Sequence, residues 1–433
     1  MISRRRFLEV GGVAGVAAAS GPLVAAAQKS GEAELPPSLA KLQSRKTEAT
    51  PITKEERQER LERARKLMSE NGLGAIVLMA GTSLNYFTGI RWWGGERMFA
   101  LVQPAKGAAF YVCPAFEEGR AHEQIAQAPD GERADVRTWQ EDESPYRLVA
   151  EGLKERGVAT GTVGIEETIR FLFSDGLAKA APSVTMTSAT PVTAGCRMIK
   201  GAHEIALMRL AAQVTLAAYE AVYRALRVGM TQRQVEELIS AAYGRLGFSG
   251  EASVEVDEYT AFPHGSNTPQ VIREGSIVMI DDGCVVEGYQ SDITRTFVIG
   301  KPPANVGDKR QKVFDIVHRA QAAALAAAKP GAECGAVDAA ARKVVTDGGY
   351  GPDYKYFAHR LGHGLGMDGH EWPYLVRGNA TKLQANVTTS NEPGIYIRGE
   401  FGIRLEDDMH VTENGAELFT GQSLSLEDPF AKG

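Results

Sequence analysis

The sequence predicts two units in tandem, a small α/β domain over about residues 53–195 and an α+β domain from about residue 200 to 425. Three observations lead there. In the first half, short apolar runs rich in β-branched residues alternate with helical periodicity. Two long helical stretches open the second half. A β-hairpin and several glycine-punctuated β-type segments follow them. At 433 residues the chain has room for two or three domains. Its apolar fraction of 43% and charged fraction of 24% are those of a globular protein. A net charge of −6 leaves no basic footprint, which argues against a nucleic-acid partner.

Residues 1–27 begin with Arg4-Arg5-Arg6, continue as a Gly/Ala-rich apolar run and end in Ala25-Ala26-Ala27. This is the pattern of a cleaved signal peptide. Ser3-Arg4-Arg5-Arg6-Phe7-Leu8 also matches the twin-arginine export signal, so a periplasmic or extracellular destination is expected. The run is too mildly hydrophobic for a stable membrane anchor. A basic tail before a buried helix is the other reading. Residues 28–52 are polar, contain Pro36-Pro37 and read as a linker or draped arm.

From Thr53 to Glu70 an apolar stripe of Leu61, Ala64, Leu67 and Met68 predicts a charged helix. Thr53 and Glu56 fit a capping box at its start, and Asn71-Gly72 ends it. Strands are expected at Ala75–Met79, Phe99–Val102, Ala109–Val112 and Thr162–Ile165. No motif in this domain carries chemistry. Its aromatics Tyr86, Phe87, Trp92 and Trp93 read as packing, or as a cleft rim or subunit contact. In the second unit, helices are expected around His203–Leu226, Thr231–Leu246, Val306–Ala328 and Val337–Asp347. A strand is expected near Ala252–Val256. Cys113, Cys196, Cys284 and Cys334 stand far apart with no CxxC pair, so they indicate neither a thiol metal site nor a disulfide framework.

The stretch Ile277–Phe297 organises the second unit. Ile277-Val278-Met279-Ile280 runs into Asp281, and Asp292 opens Ile293-Thr294-Arg295-Thr296-Phe297. Glu287-Gly288 between them is a tight-turn signal. Pairing Val286 with Tyr289 puts Gly283 opposite Asp292, with Asp281 on the same face. Two carboxylates held that close call for a positive charge between them, and one or two divalent cations fit the space beside Gly283. Each aspartate alone reads equally as a turn residue or surface charge.

Further along stand His359-Arg360-Leu361-Gly362-His363-Gly364, then His370-Glu371, Asn391-Glu392-Pro393-Gly394 and Arg404-Leu405-Glu406-Asp407. Singly these read as a structural histidine, a surface turn and an ion pair. Together they supply two Asp, two Glu and one His, a set suited to two cations sharing carboxylates.

In the order Asp281, Asp292, His363, Glu392, Glu406, the chain resembles the pita-bread metallopeptidases, which include methionine aminopeptidases, Xaa-Pro aminopeptidases and prolidases. The signatures D-x-G, S-D-x-T-R-T, H-G-x-G, E-P-G-x-Y and R-x-E-D all stand here, over about residues 200–420. Residues 53–195 more loosely resemble the creatinase-like N-terminal domain of the proline-specific branch, as does His264-Gly265. The resemblance implies an antiparallel sheet flanked by helices and a dinuclear peptidase cleaving Xaa-Pro bonds. It implies that Asp281 chelates one ion, that Asp292 and Glu406 bridge both, and that His363 and Glu392 bind the other. His264 and His370 would contact the substrate, with Arg404 orienting Glu406 and Thr294 standing behind the ligands. Water shared by the ions would be the nucleophile and Glu392 its proton shuttle. Manganese is the preferred ion, with Co²⁺, Zn²⁺ and Fe²⁺ also acceptable to such donors. A small peptide with proline second is the implied partner, and a homo-oligomer, a dimer, the implied assembly. The polar segment Thr388-Thr389-Ser390-Asn391 departs from the apolar strand usual in that family. Two alternatives stand beside this reading: a hydrolase of a non-peptide amide or amidino substrate, and a non-catalytic peptide-binding relative.

Overall fold

The computed structural model describes residues 35–431 apart from Asp130. The signal-peptide reading of residues 1–27 lies outside the described residues. The predicted helix over Thr53–Glu70 forms at Lys54–Glu70, and Thr53 and Glu56 cap it reciprocally. Strand Leu73–Met79 follows, buried along nearly its whole length. It sits inside a six-stranded mixed sheet, pairing antiparallel with Ala100–Pro104 and parallel with Gly161–Ile165. Phe110–Pro114 and Asp135–Trp139 extend the sheet on one side and Val184–Ser188 on the other. Those two edge strands have no apolar run: Asp135–Trp139 is only partly buried, and Val184–Ser188 exposes three of its five residues. Tyr86 and Phe87 are core residues, Trp92 stacks on Phe99 at 4.0 Å, and Trp93 stands 78% exposed.

Residues 36–52 are a draped arm rather than a free linker. Leu39 and Ile52 are buried in the same core as Leu207 and Val235, and Arg245 donates to the carbonyls of Ala40 and Leu42. The arm therefore seals one flank of the second domain. That domain opens with helices Ala202–Tyr223 and Gln232–Leu246, the second capped by Thr231 and Gln234 as a capping box. Ala202–Tyr223 is apolar enough by composition to cross a membrane, yet it is a core helix here, packed among buried side chains.

Two antiparallel ladders bring the candidate residues together. Strands Ser253–Val256, Ile277–Asp281 and Arg295–Val298 form one. Glu371–Leu375, Gly362–Gly364, Thr388–Asn391, Asp407–Val411 and Ala416–Leu418 form the other. Helices Ala304–Ala327 and Cys334–Val345 supply a second core beneath them, which includes Leu361, Ile395, Ile403 and Met409. All four cysteines are buried and unpaired.

Candidate metal centre

The hairpin forms in the expected register. Val286 pairs with Tyr289 and Val285 with Gln290, and the outer strands keep that register at Ile280–Arg295. Glu287 and Gly288 have φ of 50° and 90°, the two positive angles of a type I′ turn. Gly283 lies against Ser291 so closely that a Cβ would stand 2.7 Å from the Ser291 carbonyl carbon. The simple alternation fails at one place. Asp282 takes φ of 85°, which breaks the strand between Asp281 and Cys284. Asp281 and Asp292 still converge: Asp281, Asp292 and Glu406 each bring one oxygen within 4.8 Å of the other two.

A second group, His363, Glu392 and Glu406, meets the same limit and shares Glu406 with the first. Asp292 approaches it too, with its Oδ2 3.7 Å from His363 Nε2. All five expected ligands therefore occupy one site. Buried carboxyls with so little positive charge among them repel. Burial pushes Asp292 and Glu406 well above the usual carboxylate range, and the neighbouring acids push them further. Divalent cations would relieve this strain. The histidine is also prepared for one. His363 Nδ1 donates to the carbonyl of Gly364 at 3.1 Å, which fixes the ring so that Nε2, 3.3 Å from Glu392 Oε1, is the atom facing the acids.

The polar strand Thr388–Asn391 is fully buried, and this explains its composition. Ser390 Oγ accepts from the His363 amide at 3.1 Å and donates to Glu392 Oε1 at 3.2 Å. Thr388 donates to Leu365 O, and Asn391 to Gln321 O. An apolar strand would leave these groups unpaired.

Thr294 and Arg404 stand behind the ligands, with one difference from expectation. Arg404 is bonded to Asp281 rather than directly to Glu406. Its Nε lies 3.8 Å from Glu406 and donates to Thr294 Oγ1 at 2.9 Å. The Thr294 hydroxyl, wholly buried, reaches both Asp281 and Glu406. Arg404 is therefore linked to Glu406 through Thr294 as well as by the longer ion pair.

Three residues escaped the sequence reading as contributors to the site. Arg295, 1% exposed, pairs with buried Asp407 at 2.7 Å and donates to the carbonyls of Thr294 and Glu406. It thereby staples the two ligand-bearing segments together. His359 accepts from Tyr396 OH at 2.7 Å, and Tyr396 in turn accepts from Arg404. His359 Nδ1 lies 3.7 Å from Glu392, and burial lowers the ring's pKa and so keeps it neutral. A second-position tyrosine after Pro393-Gly394 was the only sequence signal for this chain of contacts.

His370 stacks on His363 with ring centroids 3.7 Å apart, and it also lies within ligand reach of Asp292 and His363. Its ring is exposed to solvent at the cavity, yet desolvation by the atoms packed around it, and then His363 beside it, lowers its pKa to about 4. His264 is exposed, on the segment after Ala261. A cavity of about 350 Å³ opens beside the centre, lined among others by Glu251, Asp282, Gln290, Asp292 and His370.

Two family models match the chain. Residues 206–413 match metallopeptidase family M24, and residues 60–199 match the creatinase/prolidase N-terminal domain. A probable dipeptidase PepE of Mycobacterium tuberculosis is 37% identical over 361 residues, covering 82% of this chain and 92% of that protein. An Xaa-Pro dipeptidase of Lactobacillus delbrueckii subsp. lactis is 32% identical over 375 residues, covering 85% and 98%. The crystal structure of dipeptidase PepE from Mycobacterium ulcerans superposes with a TM-score of 0.80 at 34% identity, covering 87% of this chain and 99% of that one. With the ligand order, the two-domain fold and these likenesses in agreement, the chain belongs to metallopeptidase family M24 and carries the creatinase/prolidase N-terminal domain ahead of a pita-bread catalytic domain.

Proposed function

We propose that this enzyme hydrolyses Xaa-Pro peptide bonds, with dipeptides as its substrates, and that its centre holds two divalent ions, manganese by preference. One observation carries the reading: two groups of ligand atoms, each within 4.8 Å, share Glu406 at the edge of a cavity. Asp281, Asp292 and Glu406 would hold one ion, and His363, Glu392 and Glu406 the other. Bound ions of this kind acidify water and polarise a carbonyl.

The chain's own residues supply the rest. Glu392 takes up the proton released from water and returns it to the leaving nitrogen. A proline nitrogen has no N–H in the peptide and must gain that proton to leave. His370, kept neutral, offers one N–H toward developing negative charge on the carbonyl oxygen, and His264 contacts the substrate from the exposed side. Arg404, Thr294 and Arg295 hold the carboxylates still.

The test is a comparison of Ala-Pro with a longer Xaa-Pro peptide on purified protein, beside elemental analysis for metal. The reading expects up to two divalent ions per chain and faster turnover of the dipeptide. An Asp292→Ala variant that kept both metal and activity would refute it. A non-peptide hydrolase or a non-catalytic binder would turn over neither peptide. We further propose export by the twin-arginine route, supported by Ser3-Arg4-Arg5-Arg6-Phe7-Leu8 and tested by replacing Arg4 and Arg5 with lysine. Dimeric assembly is proposed with it and is checked by light scattering.

A further inference from the structure

We propose that Arg197 and Lys200, at the junction of the two domains, are positioning residues for His370, a role that rests on the peptidase reading above. No side-chain hydrogen bond holds His370 among the described residues; its ring stacks on His363 and lies within 4.8 Å of an Asp292 oxygen. Its place is therefore set by the segment that carries it, Gly366–Glu371. That segment is folded on itself and pinned from two sides. The Asp368 amide donates to Glu371 Oε1 at 3.0 Å, and the Glu371 carboxylate packs on Gly366, where a Cβ would come within 2.8 Å of it. From the catalytic domain, Gln290 donates to the carbonyls of Gly366 and Met367 at 2.8 and 2.9 Å.

The other pins come from the domain that carries no chemistry and from the link after it. Arg197, the last residue of helix Thr190–Arg197, turns one nitrogen, Nη2, to both Asp368 and Glu371. Those acids stand two residues before and one residue after His370, so a single guanidinium brackets the imidazole. Lys200 Nζ donates to the second oxygen of Glu371 at 3.2 Å, and the Thr82 hydroxyl donates to Asp368 at 2.5 Å.

Arg197, Lys200 and Glu371 have side chains only 11%, 1% and 5% exposed. Buried charges are a costly way to join two domains, and apolar residues of similar size would do it as well. What the charges add is a fixed point: one nitrogen of Arg197 is shared by Asp368 and Glu371 while Lys200 holds the second oxygen of Glu371, and a lysine at position 197, one bond shorter, would not reach the same point. A displacement of about 1 Å at a reacting group can cost about a hundredfold in rate.

The experiment is a double-mutant cycle on the metal-loaded enzyme with Ala-Pro. Arg197→Lys is expected to lower kcat/KM by about 10–100-fold in the wild-type background, at unchanged metal content. In a His370→Ala background the same change should cost under about twofold, since the group it positions is gone. Thr82→Val removes one pin alone and carries the same comparison if Arg197→Lys fails to fold. The imidazole NMR signals of His370, assigned by their loss in His370→Ala, should move in both pin variants. Equal factors in both backgrounds, or unmoved signals, would overturn the positioning role and leave the peptidase reading intact. A wild-type enzyme inactive on every Xaa-Pro peptide would overturn both.

Discussion

A methyl group at Gly283 should open the metal centre. In Gly283→Ala the new Cβ would lie 2.7 Å from the carbonyl carbon of Ser291 and 2.6 Å from its Oγ, and nearer still to its carbonyl oxygen. Ordinary van der Waals contact begins at 3.4 Å, and the carbonyl oxygen is the nearest atom, so the strands must part by more than about 1 Å. The obstacle is backbone, held by the bonds from Ser291 N to Cys284 O at 3.1 Å and from Ile293 N to Asp282 O at 3.1 Å, so it cannot swing aside as a side chain would. Overpacking of this kind costs about 1–3 kcal/mol. The displacement falls on the residue beside Asp292, so a loss of about a hundredfold in kcat/KM follows if a shift near 1 Å reaches its carboxylate. Urea unfolding, metal content and turnover of Ala-Pro measure the three effects. Gly119→Ala is the control, because its Cβ would meet nothing within 4 Å. If Gly283→Ala matches the control in stability, metal content and turnover, the reasoning about the hairpin is wrong.

Thr294→Val keeps shape but leaves the buried Arg404 Nε without its acceptor, which should cost about 1–3 kcal/mol and about 10–100-fold in metal affinity; a metal titration reads it, and unchanged affinity would count against the threonine's role. Glu371→Gln should destabilise by about 3–5 kcal/mol near neutral pH, because Arg197 and Lys200 lose their buried counter-charge. Burial alone would raise the Glu371 carboxyl, but Lys200 and Arg197 outweigh it and hold the pKa low. Its contribution is then fully present above the unfolded value of about 4.3 and is lost as pH falls through the folded one. Unfolding curves of wild type and variant should accordingly draw together below about pH 4, and a gap unchanged down to pH 3 would contradict the assignment. Chelation should abolish peptidase activity and re-addition of Mn²⁺ should restore it, an order that activity surviving exhaustive chelation would exclude.

Local rules made much of the molecule legible. Thr53 with Glu56 marked a helix start because capping is settled within four residues. The hairpin register was readable because a two-residue turn leaves the flanking residues one pairing. The residues that went unread depend on distant partners. Arg295 acquires its role from Asp407 and the Glu406 carbonyl, and Arg197 from Asp368 and Glu371, each more than a hundred positions away. The edge strands Asp135–Trp139 and Val184–Ser188 went unread because neither is buried on both faces, so neither needs an apolar run. Asp282 shows the limit of strand periodicity: one positive φ ends the alternation between two carboxylates that nonetheless converge.

Arg295 gives the pocket a memory of its shape. By grasping the carbonyls of Thr294 and Glu406 while neutralising Asp407, it makes the hairpin and the Arg404–Asp407 segment travel as one rigid piece. An emptied pocket would then keep its spacing, and incoming ions would find a socket already cut to size instead of having to assemble one from loose chain.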